Sequence, residues 1–303
     1  MMISKVAIIG KGALGLLYGT LISQALGHDS VEYVMDDAHF ERHCNDEITV
    51  NGSLCTIKTV PEQKARIADL VIVAVKATGL EEALDTLQYV VGPRTCIVSL
   101  LNGVTSEQRI AQRFGWERVA LSVAQGMDAV FIDNKLTYTH SGEIRFGASE
   151  LTNPEVITSL DNFYSQVGIT RIVEKDIRHR LWVKLMLNVG VNQTCMAYGG
   201  NYGSVAMPGE QHRCFIAAMR ETLAIAQAEG VMVTEQDLTQ MAELEASLDP
   251  AGLPSMAQDR INRKPSEVEE FSGTILRLAE KHHILVPQNR WLYDKICEIE
   301  RNY

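Results

Sequence analysis

Lys184, Asn188 and Asn192 are the only polar side chains in an apolar stretch, Leu181-Trp182-Val183-Lys184-Leu185-Met186-Leu187-Asn188-Val189-Gly190-Val191-Asn192. They are spaced four apart, so on a helix they line one face and drift only slightly round it. Burying a lysine and two amides carries a desolvation cost unless they find partners. A solvent-facing strip is the alternative, and it would carry more charge and fewer amides. The stripe therefore reads as the wall of a substrate cleft. A lysine there can have its pKa lowered by burial, which suits it to proton transfer near neutral pH.

A second constellation stands near the N-terminus. Gly10-Lys11-Gly12-Ala13-Leu14-Gly15 fits G-x-G-x-x-G, follows the strand-like run Val6–Gly10 and opens the helical pattern Ala13–Leu26. Gly10 allows a tight turn, Gly12 lets the backbone approach a pyrophosphate, and Gly15 lets helix and strand pack closely. The helix N-terminus adds unpaired amides and a positive dipole end. This pattern predicts a dinucleotide cofactor. Asp36 lies 21 residues after Gly15, where an acidic residue accepts from a ribose 2′-hydroxyl, and Asp37 beside it would further repel a 2′-phosphate. The pair favours NAD(H), with Arg42 near enough in sequence to offer a partial counter-charge. Asp36 could equally cap the short helix that follows it.

Four further residues could reach the same chemistry. Lys76 follows the strand-like Asp69–Val75, and Asn102 follows the strand-like Cys96–Leu101. In a doubly wound sheet the carboxyl ends of the strands face the cofactor. Ser255 is either a substrate contact or an ordinary helix N-cap. Glu267 stands in Ser266-Glu267-Val268-Glu269-Glu270-Phe271, where a carboxylate in the first turn of a helix is commonplace.

The elements that must position these residues can be read from periodicity. Strand-like segments at Val6–Gly10, Val31–Met35, Asp69–Val75, Cys96–Leu101 and Val119–Ala124 alternate with helical ones at Ala13–Leu26, Glu81–Val91 and Ser106–Phe114. That alternation predicts an α/β fold with a parallel sheet covered by helices. Ile48–Val50 and Leu54–Val60 read as strands flanking a tight Asn51-Gly52 turn. Lys135–His140, Glu143–Gly147 and Thr170–Val173 read as further strands, with Asp133-Asn134 a turn and Pro154–Val167 a helix. From about Asp176 the pattern is helical throughout: Arg180–Met196, Pro208–Glu229, Glu235–Ser247, Ser266–His282 and Gln288–Arg301. The change of texture places a domain boundary at 174–176. It gives a dinucleotide-binding domain over 1–174 and an all-helical domain over 175–303.

The whole chain sets outer bounds. Its 303 residues suffice for two domains with substantial cores. A net charge of −10 argues against non-specific nucleic-acid binding, yet leaves room for an anionic substrate in a locally positive pocket. Six scattered cysteines read as reduced core thiols, with no metal-ligand spacing. The short apolar start is no signal peptide and no run is long enough to span a bilayer, which points to the cytoplasm. The long apolar C-terminal helices could support a homodimer or fill one domain's core.

Taken together, GKGALG, VAVKATG around Lys76, LLNGV around Asn102, LWVKLMLNVGVN around Lys184, LPSMAQD around Ser255 and SEVEEFSG around Glu267 resemble the ketopantoate reductase (2-dehydropantoate 2-reductase) family. The resemblance runs over essentially the whole length. It implies a Rossmann domain followed by an all-α domain with the active site between them. It also implies reduction of 2-dehydropantoate to pantoate by NADPH, a step of pantothenate synthesis. On that resemblance Lys184 is the general acid, and Asn188, Asn192 and Ser255 bind substrate. Asn102 is shared by substrate and cofactor, Glu267 lies near the nicotinamide ribose and the reacting centre, and Lys76 binds cofactor. The chemistry needs no metal.

Three departures stand out. Asp36 replaces the basic residue common in NADP-using members, Gln193 stands where the family usually has proline, and Gly199-Gly200-Asn201-Tyr202-Gly203 continues the substrate wall differently. The last two bear on the shape of the acyl pocket. Alternatives are a reductase of the same fold acting on another branched 2-keto acid or forming a secondary amine, and a non-catalytic dinucleotide sensor. The sensor should have lost Lys184 and Glu267, and both are present.

Overall fold

A computed structural model describes residues 2–303 as two compact units, one ending at Ile177 and the other running from Arg178 to Tyr303. The first unit holds twelve strands: β1 Val6–Ile9, β2 Val31–Met35, β3 Thr49–Val50, β4 Ser53–Leu54, β5 Lys58–Pro61, β6 Leu70–Val73, β7 Cys96–Ser99, β8 Val119–Met127, β9 Val130–Ile132, β10 Lys135–Thr137, β11 Ser141–Gly147 and β12 Arg171–Val173. Its helices are α1 Ala13–Leu26, α2 Asp37–His43, α3 Leu80–Leu87, α4 Ser106–Phe114 and α5 Pro154–Gln166.

Eight strands form the main sheet in the order β12-β11-β8-β7-β6-β1-β2-β5. Every pairing is parallel except β8 with β11. The central strands VAII, LVIV and CIVS are buried at every position because helices cover both faces. Leu16, Leu17 and Ile22 of α1 and Leu160 and Phe163 of α5 join Ile8, Ile72 and Val98 in one core. Leu80, Leu84 and Leu87 of α3 and Ile110 of α4 join Ala7, Val71 and Ile97 in the other. The chain runs outward from β1 to β2 and β5, then returns to β6 on the opposite side of β1. That reversal is a topological switch point, and in sheets of this kind ligands bind at the carboxyl ends of the strands beside it.

A smaller sheet, β4-β3-β10-β9, is built from two hairpins. Asn51 and Gly52 both have positive φ, 47° and 82°, as do Asp133 and Asn134, 49° and 58°. These are the left-handed pairs that a two-residue turn demands. The expected strand Leu54–Val60 is in fact two: the chain leaves the small sheet at Leu54, buries Ile57 and joins the main sheet as β5. The expected strand Lys135–His140 ends at Thr137. Beyond it the Asp128 carboxylate takes the backbone amides of Thr139 and His140, at 2.9 and 2.7 Å. β9 has too few residues to show alternation in sequence.

The second unit is helical: α6 Ile177–Tyr198, α7 Tyr202–Ala206, α8 Glu210–Ala228, α9 Glu235–Ala246, α10 Ser255–Ile261, α11 Thr274–His282 and α12 Pro287–Glu300. The single helix expected over Ser266–His282 opens instead with a π-helical turn, Glu269–Gly273, ahead of α11. α7 and α10, five and seven residues long, are too short to show two full repeats of a helical pattern, and only the start of α10 is marked in the sequence, by Ser255 as a candidate cap. Leu181, Trp182, Val183, Leu185, Met186, Val189 and Val191 of α6 are all buried, as expected of a helix that is apolar nearly all round.

Candidate functional site

In the first unit the glycine turn joins the end of β1 to the start of α1. Gly10 has φ +110°, and a Cβ there would stand 2.5 Å from the Ala74 carbonyl oxygen, where β6 ends alongside. A Cβ on Gly15 would stand 2.0 Å from the Gly10 oxygen, so the helix can approach its own entering strand only without a side chain. A Cβ on Gly12 would meet nothing within 4 Å. Protein packing therefore explains the first and third glycines but not the second, whose open side suits a ligand lying against the backbone. Gly12 is also the N-cap of α1. No side chain caps the helix there and its first turn carries no acid, so Ala13, Leu14 and the following amides are arranged for an anion. The residues fit a dinucleotide pyrophosphate.

Lys11 turns toward the β2–β5 side of the sheet. Its ammonium donates to Thr59 Oγ1 at 3.2 Å and lies 5.8 Å from the centroid of the Tyr33 ring. Asp36, just beyond β2, is the N-cap of α2: Oδ1 accepts from the His39 amide at 2.9 Å, and Oδ2 lies 2.6 Å from His39 Nδ1. Partial burial pulls the Asp36 carboxyl upward, but the His39 amide and imidazole outweigh it and hold it below the usual range. Asp36 is thus a helix cap and a carboxylate kept charged, with its side chain 34% exposed and open to a ligand. Arg42, on the same short helix, donates from Nε back to Ala38 O at 3.1 Å.

Lys76 and Asn102 lie in the loops that follow β6 and β7, on the same edge of the sheet as Gly10 and Asp36. Lys76 is exposed and Asn102 half-buried. Beneath Asn102 runs a buried polar chain. Ser99 Oγ lies 2.8 Å from Ser106 Oγ and accepts from the Leu101 amide at 3.3 Å. Ser106 Oγ donates to Glu107 Oε2 at 2.9 Å, and Glu107 Oε1 accepts from the Ser122 amide at 3.4 Å. These residues fix both ends of the Asn102 loop. Ser99 and Ser106 flank the LLNGV motif, and that was the only signal available in the sequence.

In the second unit the stripe on α6 is not a solvent-facing strip. Lys184 and Asn188 are half-buried and Asn192 is buried. Asn192 Nδ2 donates to Ser255 Oγ at 3.3 Å, joining residues from two separate motifs. Ser255 is the first residue of α10 and not its cap; Pro254 holds the cap position, and no side chain bonds the helix end there. Arg260, at the far end of α10, donates to the Met196 carbonyl and, at 3.2 Å, to that of Ala197. α10 is therefore tied to α6 at two points, the second answering open carbonyls at the α6 C-terminus. Glu267 is half-buried and lies just ahead of the π turn, where its own carbonyl accepts from the amides of Glu270 and Phe271 at 3.0 and 3.1 Å. It is not a first-turn residue of a regular α-helix, as its sequence context suggested.

Comparison with known proteins gives this arrangement a lineage. Residues 6–150 match the family described as ketopantoate reductase PanE/ApbA, and residues 176–300 match its C-terminal counterpart. The chain belongs to the ketopantoate reductase family. It is an oxidoreductase built on a Rossmann-type domain and a helical domain. The 2-dehydropantoate 2-reductase of Streptococcus pyogenes is 23% identical over 297 residues, covering 96% of each chain. That of Halobacterium salinarum is 26% identical over 309 residues, covering 98% of this chain and 99% of its own. Among solved structures, a D-mandelate dehydrogenase with NADH and anilino(oxo)acetate superimposes with a TM-score of 0.86 at 21% identity, covering 98% of this chain and 99% of that one. The dimeric ketopantoate reductase of Staphylococcus aureus gives 0.82 at 22%, with the same coverage.

Within this family frame, Gln193 is fully buried beside Asn192. Its Nε2 donates to Val189 O at 2.8 Å, and its Oε1 accepts from the Ser272 amide at 3.2 Å. The Gly199–Gly203 segment closes on itself through a capping box between Asn201 and Ser204, each amide bonded to the other's side chain at 3.0 Å. No helix among the described residues is long and apolar enough to cross a membrane.

Proposed function

We propose that this chain reduces a small 2-keto acid to the 2-hydroxy acid, with ketopantoate the first candidate and pantothenate synthesis in the cytoplasm its setting. The observation that carries the reading is the Asn192–Ser255 hydrogen bond, which joins a buried amide of the Lys184 helix to a hydroxyl from a remote motif. A bound nicotinamide dinucleotide supplies the hydride that the keto carbon takes up. Gly10, Lys11, Gly12, Ala13, Leu14 and Gly15 hold its pyrophosphate by backbone approach, and Asp36 accepts from its ribose hydroxyls, which favours NAD(H) over the NADP(H) the family resemblance implies. Lys76, Asn102 and Glu267 complete the cofactor contacts.

Lys184 is the general acid. As the carbonyl oxygen becomes an alkoxide it needs a proton, and an ammonium on a half-buried helix face supplies both the charge and the proton. Asn188, Asn192, Ser255 and Asn102 supply the donors that the substrate carboxylate and keto oxygen require. Assembly as a homodimer is proposed on the likeness to the dimeric Staphylococcus aureus reductase.

A second keto acid is worth equal attention. The likeness to a D-mandelate dehydrogenase brings an aryl-substituted keto acid into consideration beside ketopantoate. The test is the initial rate of cofactor oxidation with ketopantoate and with phenylglyoxylate, each run with NADH and NADPH. Rapid oxidation of NADH with either acid supports the reading and names the substrate. Folded protein that binds cofactor but oxidises it with neither acid overturns both substrate assignments.

A further inference from the structure

The π turn at Glu269–Gly273 leaves one backbone amide over. Phe271 N donates to Glu267 O at 3.1 Å and Gly273 N to Val268 O at 2.9 Å, a five-residue step, so the Ser272 amide between them is passed by. Ser272 is fully buried, and a buried N–H without an acceptor is costly. The acceptor comes from another helix: Gln193 Oε1, at 3.2 Å. Gln193 is itself fixed, since its Nε2 donates to Val189 O one turn back on α6. On the far side of the turn Ser272 Oγ donates to Asn289 Oδ1 at 3.1 Å, and Asn289 Nδ2 donates to Glu221 Oε2 at 2.8 Å.

A π turn is in effect a one-residue insertion in an α-helix, so losing it rotates everything ahead of it by about 100°. What lies immediately ahead here is Glu267, whose carbonyl is part of the widened turn. Gln193 follows Asn192 directly and lies on the helix that carries Lys184.

We propose that Gln193 is a positioning residue for the reaction. By accepting the one amide that the widened turn leaves over, it holds that turn open and keeps Glu267 in a fixed register relative to Lys184 and Asn192. The inference rests on the reading above that Lys184 and Glu267 serve the reduction. It gives a physical reason for an amide at a place where proline, with no such side chain, could not do the same.

The test is a double-mutant cycle between Gln193→Met and Glu267→Gln in the full-length protein, read by steady-state kinetics and by hydrogen exchange over residues 268–274. Gln193→Met keeps the length of the side chain and removes the acceptor. It should lower kcat by about 10- to 100-fold, the scale of a small misplacement of a reacting group, with little change in KM. Exchange over 268–274 should quicken while α8 stays protected. The double variant should be no slower than Glu267→Gln alone, because both lesions remove the same contribution. Ser272→Ala, which cuts the Asn289 link but leaves the amide bond to Gln193, should cost stability and keep kcat within about twofold. If the losses in the cycle multiply, or if exchange quickens while kcat stays within twofold, the proposal is overturned. Should Gln193→Met fail to fold, Gln193→Glu keeps an acceptor of the same reach and should retain kcat within about fivefold; a loss as deep as that of Glu267→Gln would overturn it equally. A Glu267→Gln variant with unaltered kcat would instead remove the catalytic reading on which the inference stands.

Discussion

Asn192 on α6 and Ser255 at the start of α10 share a hydrogen bond of 3.3 Å across 63 residues of sequence. Ser255 is exposed, so its hydroxyl can donate to a ligand while it accepts from the buried amide. Ser255→Ala takes away both the donor and the partner of Asn192. An unsatisfied amide costs about 1–3 kcal/mol, and a lost substrate hydrogen bond of about 1.4 kcal/mol is tenfold in affinity. The expected result is a KM for the keto acid raised about tenfold, a smaller change in kcat and a Tm lowered by a few degrees. An unchanged KM alongside the lowered Tm would make Ser255 a clamp for α10 only.

Lys184→Ala should lower kcat by about 10² to 10⁴, the range for loss of a general acid. The side chain is half-buried on a helix whose other faces are packed. Truncation should therefore leave the fold intact, and circular dichroism should match the wild type. Near-normal turnover would remove Lys184 from the mechanism.

The parts of this molecule that announce themselves in sequence are those governed by local rules. VAII, LVIV and CIVS are apolar because helices cover both faces of the sheet, and Asn51-Gly52 carries its turn type in its own two residues. The polar stripe on α6 is visible because a four-residue spacing needs only one helix to make sense. The π turn is not visible, because it depends on Gln193, some eighty residues earlier in the chain, accepting an amide that a regular helix would have used itself. The chain from Ser99 to Glu107 to Ser122 is hidden for the same reason, since β7, the start of α4 and β8 meet only in the fold. Asp36 was legible as a cap, which the structure shows, and its proposed use as a ribose-binding carboxylate stands beside that role.

That double use shapes a test of cofactor preference. Asp36→Arg should shift the kcat/KM ratio toward NADPH, but it also deletes the N-cap of α2 at a cost of about 1 kcal/mol. Asp36→Asn keeps an oxygen for the His39 amide and removes the charge. It should weaken the preference for NADH without loss of Tm. Equal ratios of NADH to NADPH efficiency in wild type, Asn and Arg variants would leave Asp36 a cap and nothing more.

Glu245 predicts a pH dependence of stability. It is 1% exposed, and neither carboxyl oxygen has a hydrogen-bond partner among the described residues. Burial pushes it from an ordinary value of 4.5 up to about 7. A carboxyl raised in the folded state binds its proton more tightly folded than unfolded, so the folded state is favoured while that proton is on. Its contribution is complete below about pH 4.5 and is lost as the pH rises through about 7. The loss amounts to at most about 3.5 kcal/mol. Glu245→Gln should flatten that portion of the profile and be more stable than wild type at pH 8. Urea unfolding at pH 5 and pH 8 checks it, and parallel profiles for the two proteins would rule the carboxyl out as the cause.

Gly12 and Gly15 separate ligand binding from folding within one motif. A methyl group on Gly15 would stand 2.0 Å from the Gly10 carbonyl oxygen, and backbone must move to admit it. Gly15→Ala should therefore cost several kcal/mol, the consequence of overpacking at a point where helix and strand touch. A methyl on Gly12 meets no protein atom within 4 Å. Gly12→Ala should leave Tm within about 2 °C of wild type and weaken dinucleotide binding at least tenfold, because the methyl occupies the space through which a pyrophosphate would approach the amides. Calorimetric titration with NADH and a thermal melt on the same sample give both numbers. A Gly12→Ala protein that binds NADH as wild type does would mean that the phosphates do not lie against this turn.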